Sequence, residues 1–174
     1  TVIRLWDVSG GDARMQLKGH KSWVNSLAFS ADGKTLYSGG DDLTLRRWDL
    51  ESGEEVGLSP GHESSVPALA SSRDGKMLVT GSSDFSVRCW DSETGRPLSR
   101  IDIPDLTIDS LALSPDGTRV AVGAERGPHA LQLLDLQTGK AVGLSFADQV
   151  SVGVNMLAFS SDGKWLVAGN PVEA

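Results

Sequence analysis

The stretch GGDDLTLRRWD, Gly39 to Asp49, recurs 42 residues later as GSSDFSVRCWD, Gly81 to Asp91. In each copy an Asp stands six residues before a Trp: Asp42 before Trp48, and Asp84 before Trp90. A His lies 22 residues upstream of each Asp, at His20 and His62, and a hydroxyl residue lies four upstream, at Ser38 and Thr80. An indole is only a donor, a hydroxyl is donor and acceptor, a neutral imidazole has one of each, and a carboxylate only accepts. The four therefore chain together, indole N–H to hydroxyl, hydroxyl to imidazole, imidazole N–H to Asp. Every member is satisfied, so the set can be buried without orphaned polar groups, which cost roughly 1–3 kcal/mol each. The same residue types could form an Asp-His-Ser nucleophilic triad. Recurrence in two copies favours a structural network, because a repeat needs its cement in each unit and a nucleophile need appear once.

The repeat extends beyond these copies. Asp-Gly pairs fall at Asp32-Gly33, Asp74-Gly75, Asp116-Gly117 and Asp162-Gly163, at intervals of 42, 42 and 46 residues. Each follows a short apolar run (VNSLAFS, VPALASS, IDSLALS, VNMLAFS) and precedes another that ends in Gly (KTLYSGG, KMLVTGS, TRVAVGA, KWLVAGN). Asp-Gly between two alternating runs predicts a hairpin, strands a and b of each unit. A third run follows at residues 2–7, 43–49, 86–91 and 130–135, then a Gly-containing polar turn and a weaker fourth run, strands c and d. No window carries a sustained helical period. The fold class is all β, in four-stranded units.

Composition limits the function. The 174 residues are 39% hydrophobic and 22% charged, with twenty glycines and a net charge of -7. That balance predicts a folded chain rich in tight turns and disfavours nucleic-acid binding, which needs Lys and Arg against phosphates. The single Cys89 excludes an intrachain disulfide and reads as a small buried hydrophobe. No apolar run reaches the roughly 18 residues of a membrane span. No His/Cys/Asp cluster has metal-ligand spacing, and no Gly-rich phosphate loop opens a helix. No cofactor, metal or catalytic residue is therefore expected. No signal peptide is visible and the chain opens with Thr1, so a cytoplasmic protein extending further N-terminally is expected.

Gly-His, the Asp turn and Trp-Asp at the end of strand c resemble WD-repeat β-propellers. The resemblance implies four-stranded antiparallel blades, with about four blades' worth of strands in this chain. Residues 1–19 supply strands c and d of a split blade, and 150–174 supply a and b of another. Residues 20–61, 62–103 and 104–149 are complete blades, the last degenerate. In the family the Asp, His, hydroxyl and Trp set is a stabilising tetrad. It maps onto His20, Ser38, Asp42 and Trp48, and onto His62, Thr80, Asp84 and Trp90. The third unit departs from it: Pro104 replaces His, Val122 the hydroxyl and Leu134 the Trp, with an enlarged b–c turn at ERGPHA that carries His129. The fourth has Val150 and Ala168 in the His and hydroxyl places. Apolar packing is expected to hold these units, more loosely. Arg47, at the place of Leu5, Cys89 and Leu133, is expected to snorkel over a neighbouring blade.

The resemblance implies a non-catalytic interaction scaffold, binding a protein or peptide on a wide face, within a larger signalling or regulatory protein. The regular 42-residue units also resemble amplified repeats of bacterial multidomain proteins. The alternative is an enzyme or a small-ligand propeller with its site in the central channel. In the family, residues at the start of strand a and just before the tetrad Asp line one wide face. Here these are Trp23, Asn25 and Asp41; Ser65, Pro67 and Ser83; Thr107, Asp109 and Glu125; and Gly153 and Asn155. Trp23 beside carboxylates predicts a partner segment rich in Lys or Arg. Free edges at both ends predict a homodimer closing an eight-bladed ring, or further blades from a longer chain.

Overall fold

The computed structural model describes residues 1–59, 61–125, 129–142 and 153–169. They form fifteen strands and, among these residues, no helix. An N-terminal hairpin pairs β1 (Val2–Trp6) with β2 (Ala13–Lys18). The first four-stranded sheet runs β3 (Val24–Phe29), β4 (Thr35–Gly40), β5 (Leu45–Asp49), β6 (Glu55–Ser59). The second runs β7 (Ala68–Ser71), β8 (Met77–Ser82), β9 (Ser86–Asp91), β10 (Pro97–Asp102). The third holds β11 (Ser110–Leu113), β12 (Arg119–Gly123) and β13 (Leu131–Asp135), with a single bridge from Leu134 to Ala141 in the fourth-strand place. A last hairpin pairs β14 (Met156–Phe159) with β15 (Leu166–Gly169). All pairing is antiparallel and sequential, the meander of propeller blades. Val150 and part of the ERGPHA turn lie outside the described residues.

Local chemistry fixes each a–b turn. In the first, the Asp32 carboxylate accepts from the Ser30 hydroxyl (2.6 Å) and the Lys34 N–H (3.1 Å), while Gly33 takes a φ of 71° that favours glycine. Ser72, Asp74 and Gly75 repeat the arrangement, as do Ser114, Asp116 and Gly117, and Ser160, Asp162 and Gly163. The c–d turns use an Asp in the same way: Asp49 accepts from the Ser52 N–H and hydroxyl, and Asp91 and Asp135 from Thr94 and Thr138.

The sheets stack face to face, with the first strands β3, β7, β11 and β14 as successive neighbours. Ile3 and Leu17 of the N-terminal hairpin pack on Leu36 and Trp48. Tyr37 packs on Leu78 and Trp90 of the second sheet, its hydroxyl donating to the Ser92 carbonyl at 3.0 Å. Val79 and Cys89 pack with Val120, Val122 and Leu134. Looser packing of the third unit is not what this interface shows. Val122 and Leu134 are buried, and they replace a hydroxyl and an indole with apolar surface that needs no partner. The glycine ending strand b recurs for a steric reason. A Cβ on Gly81 would sit 2.4 Å from Ile108 Cγ2, and one on Gly123 would sit 2.6 Å from the Val154 carbonyl oxygen.

Candidate functional site: buried networks and the turn face above them

Two hydrogen-bond networks run through the first and second sheets. His20 leads into β3, Ser38 lies on β4, Asp42 opens the turn after β4, and Trp48 lies on β5. His20 Nδ1 donates to Asp42 Oδ2 at 2.9 Å, Ser38 Oγ donates to His20 Nε2 at 2.7 Å, and Trp48 Nε1 donates to Ser38 Oγ at 2.8 Å. The second network repeats these distances: His62 Nδ1 to Asp84 at 2.9 Å, Thr80 Oγ1 to His62 Nε2 at 2.7 Å, and Trp90 Nε1 to Thr80 Oγ1 at 2.8 Å. Both hydroxyls are 0% exposed. The order of the set is that of a Ser-His-Asp triad, but each hydroxyl oxygen already accepts an indole N–H and has no approach for a substrate carbonyl. The arrangement fixes structure rather than activating a nucleophile.

The networks are larger than the four residues read from the sequence. Thr44 Oγ1 donates to Asp42 Oδ1 at 2.7 Å, and Ser86 Oγ to Asp84 Oδ1 at 2.6 Å. The backbone N–H groups of Lys21 and Glu63 donate to the two Asp side chains at 2.8 and 2.9 Å. Arg46 lies 3.7 Å from Asp42 and pairs with Glu55 at 2.8 Å, and Arg88 lies 3.4 Å from Asp84 and donates to the Gly61 carbonyl. The signal was present as Asp-x-Thr/Ser-x-Arg at one offset in both copies. Burial alone would raise the Asp42 pKa, but the Thr44 hydroxyl, the Lys21 N–H and His20 outweigh it and hold it at about 2. Asp84 is likewise held at about 2 against burial, by Ser86, the Glu63 N–H and His62. Burial lowers the pKa of His20 and His62 against the opposing pull of their carboxylates, so each pair is a neutral imidazole on an anion.

At the end of the strands that carries Asp42 and Asp84, the start of strand a meets the end of strand b within each unit. Trp23 is 75% exposed, and its carbonyl accepts the Asp41 N–H at 2.9 Å. Asn25 Nδ2 donates to Asp41 Oδ1. In the second sheet Ser65 and Ser83 hydroxyls meet at 3.2 Å beside half-buried Pro67. In the third, the Glu125 N–H donates to Asp109 Oδ2 at 2.7 Å, and Thr107 is half-buried. Gly153 packs against the Glu125 backbone, and Asn155 is exposed with its N–H on the Gly169 carbonyl. A cleft of about 660 Å³ lies away from this face, between the Asp116 and Asp162 turns, walled by Leu133, Phe159 and Leu166. Among the described residues no group of three or more His, Cys, Asp or Glu is placed to hold a metal ion. Nor is any helix among them long and apolar enough to cross a membrane.

Four-stranded antiparallel blades stacked on their first strands, each full network joining Asp, His, a hydroxyl and Trp, define a β-propeller repeat protein. Residues 11–49 and 53–91 match the family described as WD domain, G-beta repeat; these two stretches are WD repeats. Over 45 residues it is 44% identical to nuclear distribution protein PAC1-2 of Uncinocarpus reesii, covering 26% of this chain and 10% of that protein. It is 51% identical over 45 residues to nuclear distribution protein nudF of Aspergillus flavus, with the same shares. Nuclear distribution protein nudF 2 of Penicillium rubens matches at 52% over 44 residues, 25% of this chain and 9% of that protein. The matched part thus spans about a tenth of these relatives.

Proposed function

We propose that the chain is a non-catalytic scaffold that binds a partner protein or peptide through the wide face bearing Trp23, Asn25, Asp41, Asp109 and Glu125. The observation that carries this reading is Trp23. It is 75% exposed beside Asp41, while the equivalent places in the next units hold Ser65, Thr107 and Gly153. The blade itself therefore does not require a large ring there. An exposed Trp beside carboxylates suits a Lys or Arg side chain, which stacks on the ring and meets the charge. The partner is then a basic segment, with binding weakened by salt. The tetrads His20, Ser38, Asp42, Trp48 and His62, Thr80, Asp84, Trp90 serve as structural supports under this face. In this reading the protein works in the cytoplasm as part of a larger regulatory assembly. Trp23→Ala should weaken binding of a Lys/Arg-rich peptide by about 2 kcal/mol while leaving the melting temperature unchanged. Normal binding by a Trp23→Ala, Asp41→Ala double variant would place the site elsewhere.

A second reading concerns the blade edges. Trp6 on β1, Leu27 and Phe29 on β3, and Trp165 and Val167 beside and on β15 are exposed apolar residues on the two outermost hairpins and the first inner strand. The equivalents of Leu27 in the next two units, Leu69 and Leu111, pack against the preceding sheet. We propose that a second copy covers them, pairing β15 with β1 of its partner to close an eight-bladed ring. A solution mass of twice the chain supports the ring. A monomeric mass overturns it and leaves the edges to further blades of a longer polypeptide.

A further inference from the structure

The two ends of the strands follow different backbone rules. Every described a–b turn places glycine at its positive-φ position, at Gly33, Gly75, Gly117 and Gly163, and the c–d turns at the same end also use glycine. Among the described residues, the four non-glycine residues with positive φ, Leu43, Phe85, Asp105 and His129, all lie at the opposite end, the end of Trp23. Leu43 (φ 65°) and Phe85 (φ 64°) directly follow the network aspartates Asp42 and Asp84. A large apolar side chain is the poorest occupant of that conformation, and glycine would relieve the strain. Both side chains also face solvent, Leu43 41% and Phe85 44% exposed. The turns are held in place from below. The Phe85 carbonyl accepts the Ile103 N–H at 2.7 Å, and the Leu43 carbonyl lies where only a glycine, Gly61, allows close approach. Strain kept by surrounding bonds, for a side chain the fold does not bury, points to use of that side chain.

We propose that Leu43 and Phe85 are an apolar recognition rim, extending the wide-face site outward from Trp23, for a partner segment in which Leu, Ile or Phe residues alternate with Lys or Arg. This rests on the wide-face reading and adds the apolar half of the specificity. The basic half follows from charge. Asp41, Asp109 and Glu125 stand at this end of the sheets, Lys21 is a cation beside the first turn, and Arg100 is paired with Glu63 and Asp102. The whole chain carries -7.

The test uses immobilised synthetic peptides of three kinds: Arg alternating with Ser, Arg alternating with Leu or Phe, and Glu alternating with Leu or Phe. The full chain should prefer the second kind. A Leu43→Gly, Phe85→Gly double variant should bind it roughly tenfold more weakly, with a melting temperature unchanged or raised because glycine relieves the φ strain. Trp23→Ala should weaken both Arg-containing kinds. Equal binding of the first two kinds, or unchanged binding by the double variant, overturns the rim and leaves the wide-face reading intact. A lowered melting temperature of the double variant also overturns it, since the side chains would then serve packing. Failure of every Arg-containing peptide to bind overturns both readings.

Discussion

Asp42→Ala removes the acceptor at the centre of the first network. In the folded protein Asp42 receives His20 Nδ1, the Lys21 N–H, and the Thr44 N–H and hydroxyl. Lys21 is exposed, so water replaces the lost acceptor there. The His20 side chain is 1% exposed, so its N–H loses its acceptor and is left buried. The Thr44 hydroxyl is half-buried and 3.5 Å from His20 Nδ1, which lets it recover part of the loss. Arg46 keeps Glu55. One full and one partial buried orphan, at roughly 1–3 kcal/mol each, put the loss at about 2–4 kcal/mol. In a chain of this size 1 kcal/mol moves the midpoint by roughly 2–4 °C, so Asp42→Ala should melt about 5–15 °C lower by calorimetry or circular dichroism. Asp84→Ala should match it. Glu125→Ala should stay within about 1 °C, because the third unit has Val122 and Leu134 where the network would be. An Asp42→Ala protein that melts with the wild type, or a Glu125→Ala protein that falls as far, would refute the reasoning.

Acid should unfold the protein in two stages. His20 and His62 have folded pKa values below their ordinary 6.5, so the unfolded state binds their protons first and stability falls as pH drops below about 6.5. Asp42 and Asp84, held at about 2 against an ordinary 3.8, contribute stability present above pH 3.8 and lost as pH falls toward 2. Urea midpoints measured from pH 8 to pH 2 check both; a midpoint rising with acidification contradicts the sign. Gly81→Ala should cost about 1–3 kcal/mol, because its Cβ would meet the branched Ile108 side chain of the next sheet at 2.4 Å. Chemical denaturation reads that loss, and an unchanged midpoint would mean the two sheets can part at no cost.

The repeat makes most of this architecture readable in the sequence. Asp-Gly, Trp-Asp and Gly-His carry distinct backbone or hydrogen-bonding demands, and recurrence at 42 residues turned weak signals into a strand plan. Thr44, Ser86, Arg46 and Arg88 were harder to read. A hydroxyl and an Arg on alternate strand positions look like a solvated face, and only the folded turn brings them to Asp42 and Asp84. Arg47 is half-buried, with its charge felt by Asp91 and Tyr37 and its Nε buried without a partner, as a side chain lying along the neighbouring sheet would be. The positive φ at Leu43 and Phe85 had no sequence mark, because the residues that usually announce that conformation, glycine and asparagine, are absent there.

The contrast between the two ends of the strands has one physical cause. At the a–b end each turn is stabilised from within, by an Asp bonding its own neighbours and a glycine at the tight point, so the sequence there is fixed turn by turn. At the other end the turn after strand b hangs from the buried network. Asp42 is held by His20, Lys21 and Thr44, and Asp84 by His62, Glu63 and Ser86. Because the anchor lies below the surface, the residues on either side of it carry no structural demand on their side chains. Asp41 can become Ser83 or Glu125, and Leu43 can become Phe85, without touching the bonds that hold the turn. A buried network that fixes the backbone while releasing its flanking side chains is what a repeat needs in order to present a different surface from each unit. In the proposed reading, stability and recognition in this chain sit one residue apart.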